Sequence, residues 1–469
     1  MNPLSILYAI LIFGLLIFIH ELGHFIVARL CGVKVLEFAI GMGPKLFSWK
    51  SKKSGTRYAL RLFPIGGFIN MLGENGMEVV QGDNGEGEDS SAKFREKSND
   101  DPEDTRPVNQ EWQELTPELE KQAYCNQSVW KRILISIAGP AMNIVLGFLL
   151  MLVIVLVQGP KAAGGTDVAA FHVQYTAEEA QYGFEPNDYL DTYEIKSETD
   201  EVINMPIRSY EDFGKIIKNA NGQEIKLTVQ RLNAEGTKYE KVNLAVVLNE
   251  ADLKLFTGSL SENCGLRIND KILKINSTRV HTYDELSYEI MNQGYKPMKF
   301  TVLRNGEKIV LEDVIVPSTE SQGVVFGNMD FQIYAEGKTL TFATVMKHTW
   351  FRSLSTVKMV YDSLFGLFSG RYGVEAVSGP VGITKVVGQA AEYGFIPLLN
   401  LVIVISINLG VMNLLPIPAL DGGHIFIYLI EVVRRKPMKR ELEGIINMVG
   451  LVLMLAVAVL VAIKDVITL

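Results

Sequence analysis

Residues 4–19, 133–157, 395–420 and 445–463 each run without a single charged side chain. A helix needs about 20 apolar residues to cross a bilayer, so the first stretch reaches that length only by continuing past residue 20. Four such stretches exclude an ordinary globular fold and predict an α-helical polytopic membrane protein with four spans. Hydrophobic residues make up 48% of the chain and charged residues 21%. The two classes must therefore be segregated, which leaves substantial aqueous parts.

The formal charge of −8 is unevenly spread. Residues 74–127 hold fifteen acidic and five basic side chains, so the remainder is slightly positive. No broad basic surface points to a nucleic acid partner. Residues 31–73 carry seven Lys/Arg against Glu37 alone, and Arg434, Arg435, Lys436, Lys439 and Arg440 lie between the last two spans. Lys131 and Arg132 flank the second span. The positive-inside rule puts these segments in the cytoplasm, and both termini and the long 160–394 segment outside. The expected location is thus the cell membrane, multi-pass. The first span lacks the basic start and small-residue cleavage site of a signal peptide. Cys31 and Cys125 then fall inside and Cys264 alone outside, so no intrachain disulfide is expected.

Along the chain, residues 1–73 hold the first span and a strand-rich hairpin over 41–71. In it Tyr58, Leu60 and Leu62 alternate with Arg57, Ala59 and Arg61, the period of a half-buried strand. Residues 74–127 form an acidic cytoplasmic insert whose 74–110 part reads as a disordered linker. The second span occupies 128–160. Residues 340–394 hold an amphipathic helix and a connection, and 395–469 the third and fourth spans. The helix, over 342–368, either lies on the outer membrane surface in contact with lipid or packs against the outer domains. Between them lies an internal repeat. Residues 183–188 and 265–270 both read Gly-apolar-x-x-Asn-Asp, and each is followed by a strand, a helix opening on a Tyr with acidic residues, and a hairpin. The pattern resembles two tandem α+β PDZ domains, at 165–250 and 255–335.

His20-Glu21-Leu22-Gly23-His24 is an HExxH motif. Residues four apart share a helix face, so both imidazoles can ligate one metal ion, with Glu21 placed to take a proton from water. Ionisable groups at membrane depth are costly and functional by default. Zinc with one open position requires a third protein ligand. Asp421 is the best candidate, because the first and third spans run in the same direction and bring it to a depth similar to that of His20. Pro416 and Pro418 break the helix just before it, which is tolerated where backbone lines a cavity or packs on protein. Asp421 as a simple helix cap is the bland alternative. A zinc transporter would not need Glu21, the hairpin or the repeat, and an inactive scaffold would not need Glu21 with Asp421.

Five motifs together identify a family. HELGH, GxG at residues 41–43, FPIGG at 63–67, AGPAMN at 138–143 and NLLPIPALDGGH at 413–424 resemble the site-2 proteases, and their order with the outer repeat is similar to the RseP/RasP bacterial branch. The resemblance implies an intramembrane zinc metalloprotease near the cytoplasmic side. One Zn2+ is held by His20, His24 and Asp421, with Glu21 as general base. It further implies that Asn413 holds the substrate backbone and that the hairpin is a membrane re-entrant β-loop, with Gly41 and Gly43 in its substrate-binding part. His424 has a supporting or packing role, and Asn143 either supports the site or packs the spans. The implied partners are pre-trimmed transmembrane proteins, such as anti-sigma-factor or signal-peptide remnants.

Overall fold

The computed structural model describes residues 3–74, 78–80, 93–95, 113–114, 116–158, 165–196, 202–233, 239–294, 296–321, 324–334, 341–371, 377–438 and 440–467. The chain divides into two compact units. One comprises residues 1–154, 356–365 and 374–469, the other 155–355 and 366–373.

Among the described residues, four helices are long and apolar enough to cross a membrane. These are Pro3–Leu30, Val129–Gln158, Phe395–Asn413 and Arg440–Ile467. Glycines set the packing of the first three. A Cβ on Gly23 would fall 2.4 Å from the Ala138 carbonyl oxygen, and one on Gly410 would fall 2.8 Å from that of Pro140. Without a hydrophobic force between helices in lipid, such close backbone approach is the main source of attraction. The third long helix stops at Asn413, the Pro416–Pro418 segment turns the chain, and a new helix begins as Asp421–Arg434.

The hairpin differs from the sequence expectation. It starts at Val35, not residue 41, with strands Val35–Lys50 and Arg57–Met71. Both strands fold back on themselves, so residues 37–40 pair with 57–60 on one side and with 67–70 on the other. The result is four antiparallel rows in the order 45–50, 57–61, 35–40 and 67–71. The bends fall at Gly41, Gly43 and Gly66, whose φ values of +85°, +83° and +96° only glycine adopts without strain. Phe38 and Tyr58 turn towards the first helix and meet Phe18 and Phe25 in a cluster of tilted and edge-on rings.

Most of the 74–110 linker lies outside the described residues. Within the acidic insert, short strands Glu78–Val80, Lys93–Arg95 and Gln113–Glu114 pair antiparallel, in a register that sets Glu78 opposite Arg95 and Lys93 opposite Glu114.

The second unit has two apolar cores. One gathers Val173, Tyr175, Phe184, Phe213 and Val229, the other Leu266, Ile272, Ile290, Phe300 and Phe331. Each core repeats the same turn. Asn187 and Asn269 take left-handed φ values of 72° and 69°, and the following Asp188 and Asp270 accept the backbone N–H groups of Glu185 and Arg267. A guanidinium grips each carboxylate with two nitrogens, Arg231 on Asp188 and Arg304 on Asp270, and also donates to the carbonyl of Gly183 or Gly265. The helices Tyr210–Ala220 and Tyr283–Gln293 are capped alike by Ser209 and Thr282. One boundary shifts. Residues 168–171, given by the sequence to the first repeat, pair with Phe331–Ile333 and pack in the second core through Val168 and Phe171. The first copy is therefore inserted within the second.

Candidate active site

His20, Glu21 and His24 lie on the first long helix, where the four-residue spacing stacks the two imidazoles on one face. Their Nε2 atoms are 3.2 Å apart. Asp421, in the first turn of its helix, brings one carboxylate oxygen 3.1 Å from His20 Nε2 and the other 3.5 Å from His24 Nε2. Ligands at about 2.0–2.1 Å from a tetrahedral zinc lie about 3.3 Å from one another, which is this spacing. Among the described residues, this is the one group of three or more His, Cys, Asp or Glu so placed.

The far side of each ring is tied as a metal ligand requires. His24 Nδ1 donates to the Ile135 carbonyl at 2.7 Å, leaving its Nε2 lone pair towards Asp421. His20 Nδ1 faces the Asn143 amide at 3.3 Å. Asn143 Oδ1 is buried and unpaired in the orientation with Nδ2 towards the ring. Turning the amide lets Oδ1 accept the His20 Nδ1–H, which satisfies both groups and frees His20 Nε2 for a metal. Ser406 donates to the Asn143 carbonyl and anchors this part of the second long helix. Gly139 completes the cradle. A Cβ there would stand 2.2 Å from His24 Nε2 and 2.8 Å from His20 Nε2.

Glu21 lines the same cavity as this cluster and also faces the edge row 67–71. It takes a backbone hydrogen bond from Ile69, and a Cβ on Gly67 would lie 3.2 Å from its Cγ. A cavity of about 710 Å³ opens on His20, Glu21, His24 and Asp421 and is walled by Phe68 and Ile69 of that row. Its polar wall is tied together by side-chain contacts. Arg132 pairs with Glu431 at 2.7 Å and lies 4.6 Å over the Tyr428 ring, and Tyr428 meets the Tyr124 hydroxyl at 3.0 Å. Burial pushes the Tyr124 hydroxyl up to about 12, so it remains a protonated donor.

The structure brings His20, His24, Asp421 and Glu21 together. Among the described residues, the cavity wall does not include Asn413, Gly41 or Gly43. Asn413 ends the third long helix, and the two glycines form the bend of the first hairpin strand. His424 lines the cavity but pairs with Glu443 at 3.2 Å, apart from the three-residue cluster. Gly139 and the Arg132–Glu431 pair were not anticipated. A glycine inside an apolar helical run was the available signal for the former.

The chain is similar to known proteins along nearly its whole length. The model of peptidase family M50 matches residues 8–457. The zinc metalloprotease RasP of Geobacillus kaustophilus is 28% identical over 98% of this chain and 97% of its own length. A protease of Enterococcus faecalis named eep, described as probable, is 28% identical over 98% of both. A Clostridium acetobutylicum protein, named as a candidate zinc metalloprotease, is 30% identical over all of this chain and 98% of its own.

Proposed function

The chain belongs to peptidase family M50, and from that membership we propose that it is a zinc endopeptidase hydrolysing peptide bonds within or beside the transmembrane segments of membrane proteins. The observation that carries the reading is the His20–His24–Asp421 cluster, with Glu21 between it and an open strand edge. His20, His24 and Asp421 would hold the zinc. When bound, zinc supplies a Lewis acid that lowers the pKa of water and polarises a carbonyl. Glu21 takes the proton from the attacking water and delivers it to the leaving amine. A transmembrane helix hides its amides in its own hydrogen bonds, so a segment must unwind before cleavage. Row 67–71 is an edge and can replace the lost bonds by β-strand addition. In this reading the edge that receives the substrate is row 67–71, which walls the cavity through Phe68 and Ile69.

The finer reading places residues 31–127 and the Arg434–Arg440 connection in the cytoplasm, with the PDZ-like repeat outside. There the repeat screens substrates and admits those already trimmed, such as anti-sigma-factor or signal-peptide remnants. Asn413 would hold substrate backbone after a shift of the loop that follows it. A reporter with one transmembrane helix and a trimmed outer domain, incubated with wild type or Glu21→Gln, tests the chemistry. Wild type should cleave and Glu21→Gln should not, while both retain one zinc per chain. Equal cleavage by both would remove Glu21 from the mechanism.

A further inference from the structure

Arg61 and Glu37 form an ion pair at 3.1 Å inside the hairpin, with side chains only 7% and 8% exposed. The pair belongs to neither the metal cluster nor the apolar packing against the first helix. Alternation along the rows puts Glu37, Ala39, Ala59, Arg61 and Phe68 on one face of the sheet, since Ala39 stands opposite both Ala59 and Phe68. Arg61 therefore reaches diagonally across row 35–40, over the small side chain of Ala39. At the far end its guanidinium lies 4.8 Å from the centroid of the Phe68 ring, and it also donates to the Gly43 carbonyl at 3.0 Å. One side chain thus joins three of the four rows and the glycine bend. Phe68 is the link to the chemistry, because it stands in the edge row and walls the catalytic cavity.

A buried ion pair adds little net stability over an apolar pair of the same volume, but it fixes direction and distance in a way that apolar contacts do not. We propose that Arg61, held by Glu37 and the Gly43 carbonyl, is a positioning residue that fixes Phe68 and the edge row and thereby the register in which an extended substrate crosses the catalytic centre. The inference rests on the reading that row 67–71 receives the substrate. Strand pairing repeats every two residues, so a loosened edge accepts substrate in registers two residues apart. Loss of the strap then changes where the chain cuts, not only how fast.

The test uses the purified full chain in detergent, the trimmed single-helix reporter, and mass spectrometry of the products. The double variant Glu37→Leu/Arg61→Met replaces the ion pair with apolar side chains. It should keep its zinc and its fold, spread cleavage from one bond to neighbours about two residues away, and raise KM about tenfold with a smaller change in kcat. Arg61→Lys keeps the charge but loses the two-point grip, and should show a partial spread. A single unchanged bond with unchanged KM in the double variant would overturn the proposal. Should the double variant fail to fold, Phe68→Leu carries the same expectation, and a sharp cut there with unchanged KM would overturn it as well. Glu21→Gln runs alongside. Residual cleavage by that variant would count against the proposed chemistry, not against the strap.

Discussion

Substituting Gly139 with alanine adds one methyl group directly against the imidazoles of His20 and His24. Its Cβ would lie 2.2 Å from His24 Nε2 and 2.7 Å from Cε1, where ordinary contacts begin at 3.4 Å. The imidazole must retreat by about 1.2 Å, yet it is held from behind by the Ile135 carbonyl at 2.7 Å. His20, 2.8 Å from the same methyl, is held by Asn143. A shift of about 1 Å in a reacting group costs on the order of a hundredfold in rate. Disturbed ligand support costs about 10–100-fold in metal affinity. Alanine is the better helix former by up to about 1 kcal/mol, so loss of helix is not the expected cause. The expected result is a well-folded protein with zinc affinity lowered at least tenfold and reporter cleavage lowered about a hundredfold. Competition against a chromophoric chelator, in detergent and on the full chain, measures the first. A Gly139→Ala protein with wild-type zinc affinity and rate would show that the metal does not sit between these rings.

Two further expectations concern the second unit. Arg231→Ala and Arg304→Ala each leave a buried carboxylate, Asp188 at 1% and Asp270 at 0% exposure, without its partner. Each should destabilise its own core by about 3 kcal/mol and to a similar extent. Hydrogen exchange of the full chain reads this directly, and a loss below about 0.5 kcal/mol in either copy would contradict the equivalence of the two turns. Burial lowers the pKa of His172, with Asp330 partly opposing it. The folded state then holds the ring neutral at a pH where the unfolded chain protonates it. Stability is lost as pH falls through about 6.5 towards the lowered value. His172→Gln should remove that part of the acid sensitivity of exchange protection, after correction for intrinsic rates. An unchanged slope would place the titrating group elsewhere.

The meeting of His20, His24 and Asp421 was legible because two simple rules sufficed. A helix stacks residues four apart, and a proline-broken helix end at matching depth brings a carboxylate alongside. Glu21 came with the same motif. The sequence does not decide whether Asn143 supports His20, since a side-chain contact between distant helices has no local period. Gly139 is hidden in the sequence for a related reason: its importance lies in what a methyl group would strike. The hairpin shows a third limit. Alternation identifies strands, but residues 37–40 pair on both sides, and nothing in the alternation says that a strand will turn back at Gly41 and Gly43. The repeat was legible in its Gly-apolar-x-x-Asn-Asp turns because each turn is a local device. The nesting of one copy in the other was not, since residues 168–171 contribute a long-range pairing with Phe331–Ile333.

The position of Glu21 also constrains how a substrate can lie. It takes a hydrogen bond from Ile69 in the edge row and adjoins His20 of the His20–His24–Asp421 cluster. If substrate pairs with row 67–71, as proposed, its backbone runs along the wall that holds Glu21, and the scissile carbonyl lies between Glu21 and the cluster. Only an extended segment meets both conditions, because a helix would present side chains to the edge and keep its amides internal. The glycine bends that fold the hairpin twice are then part of the chemistry. They bring row 67–71 back to the edge of the sheet beside the first helix, where the HExxH motif waits.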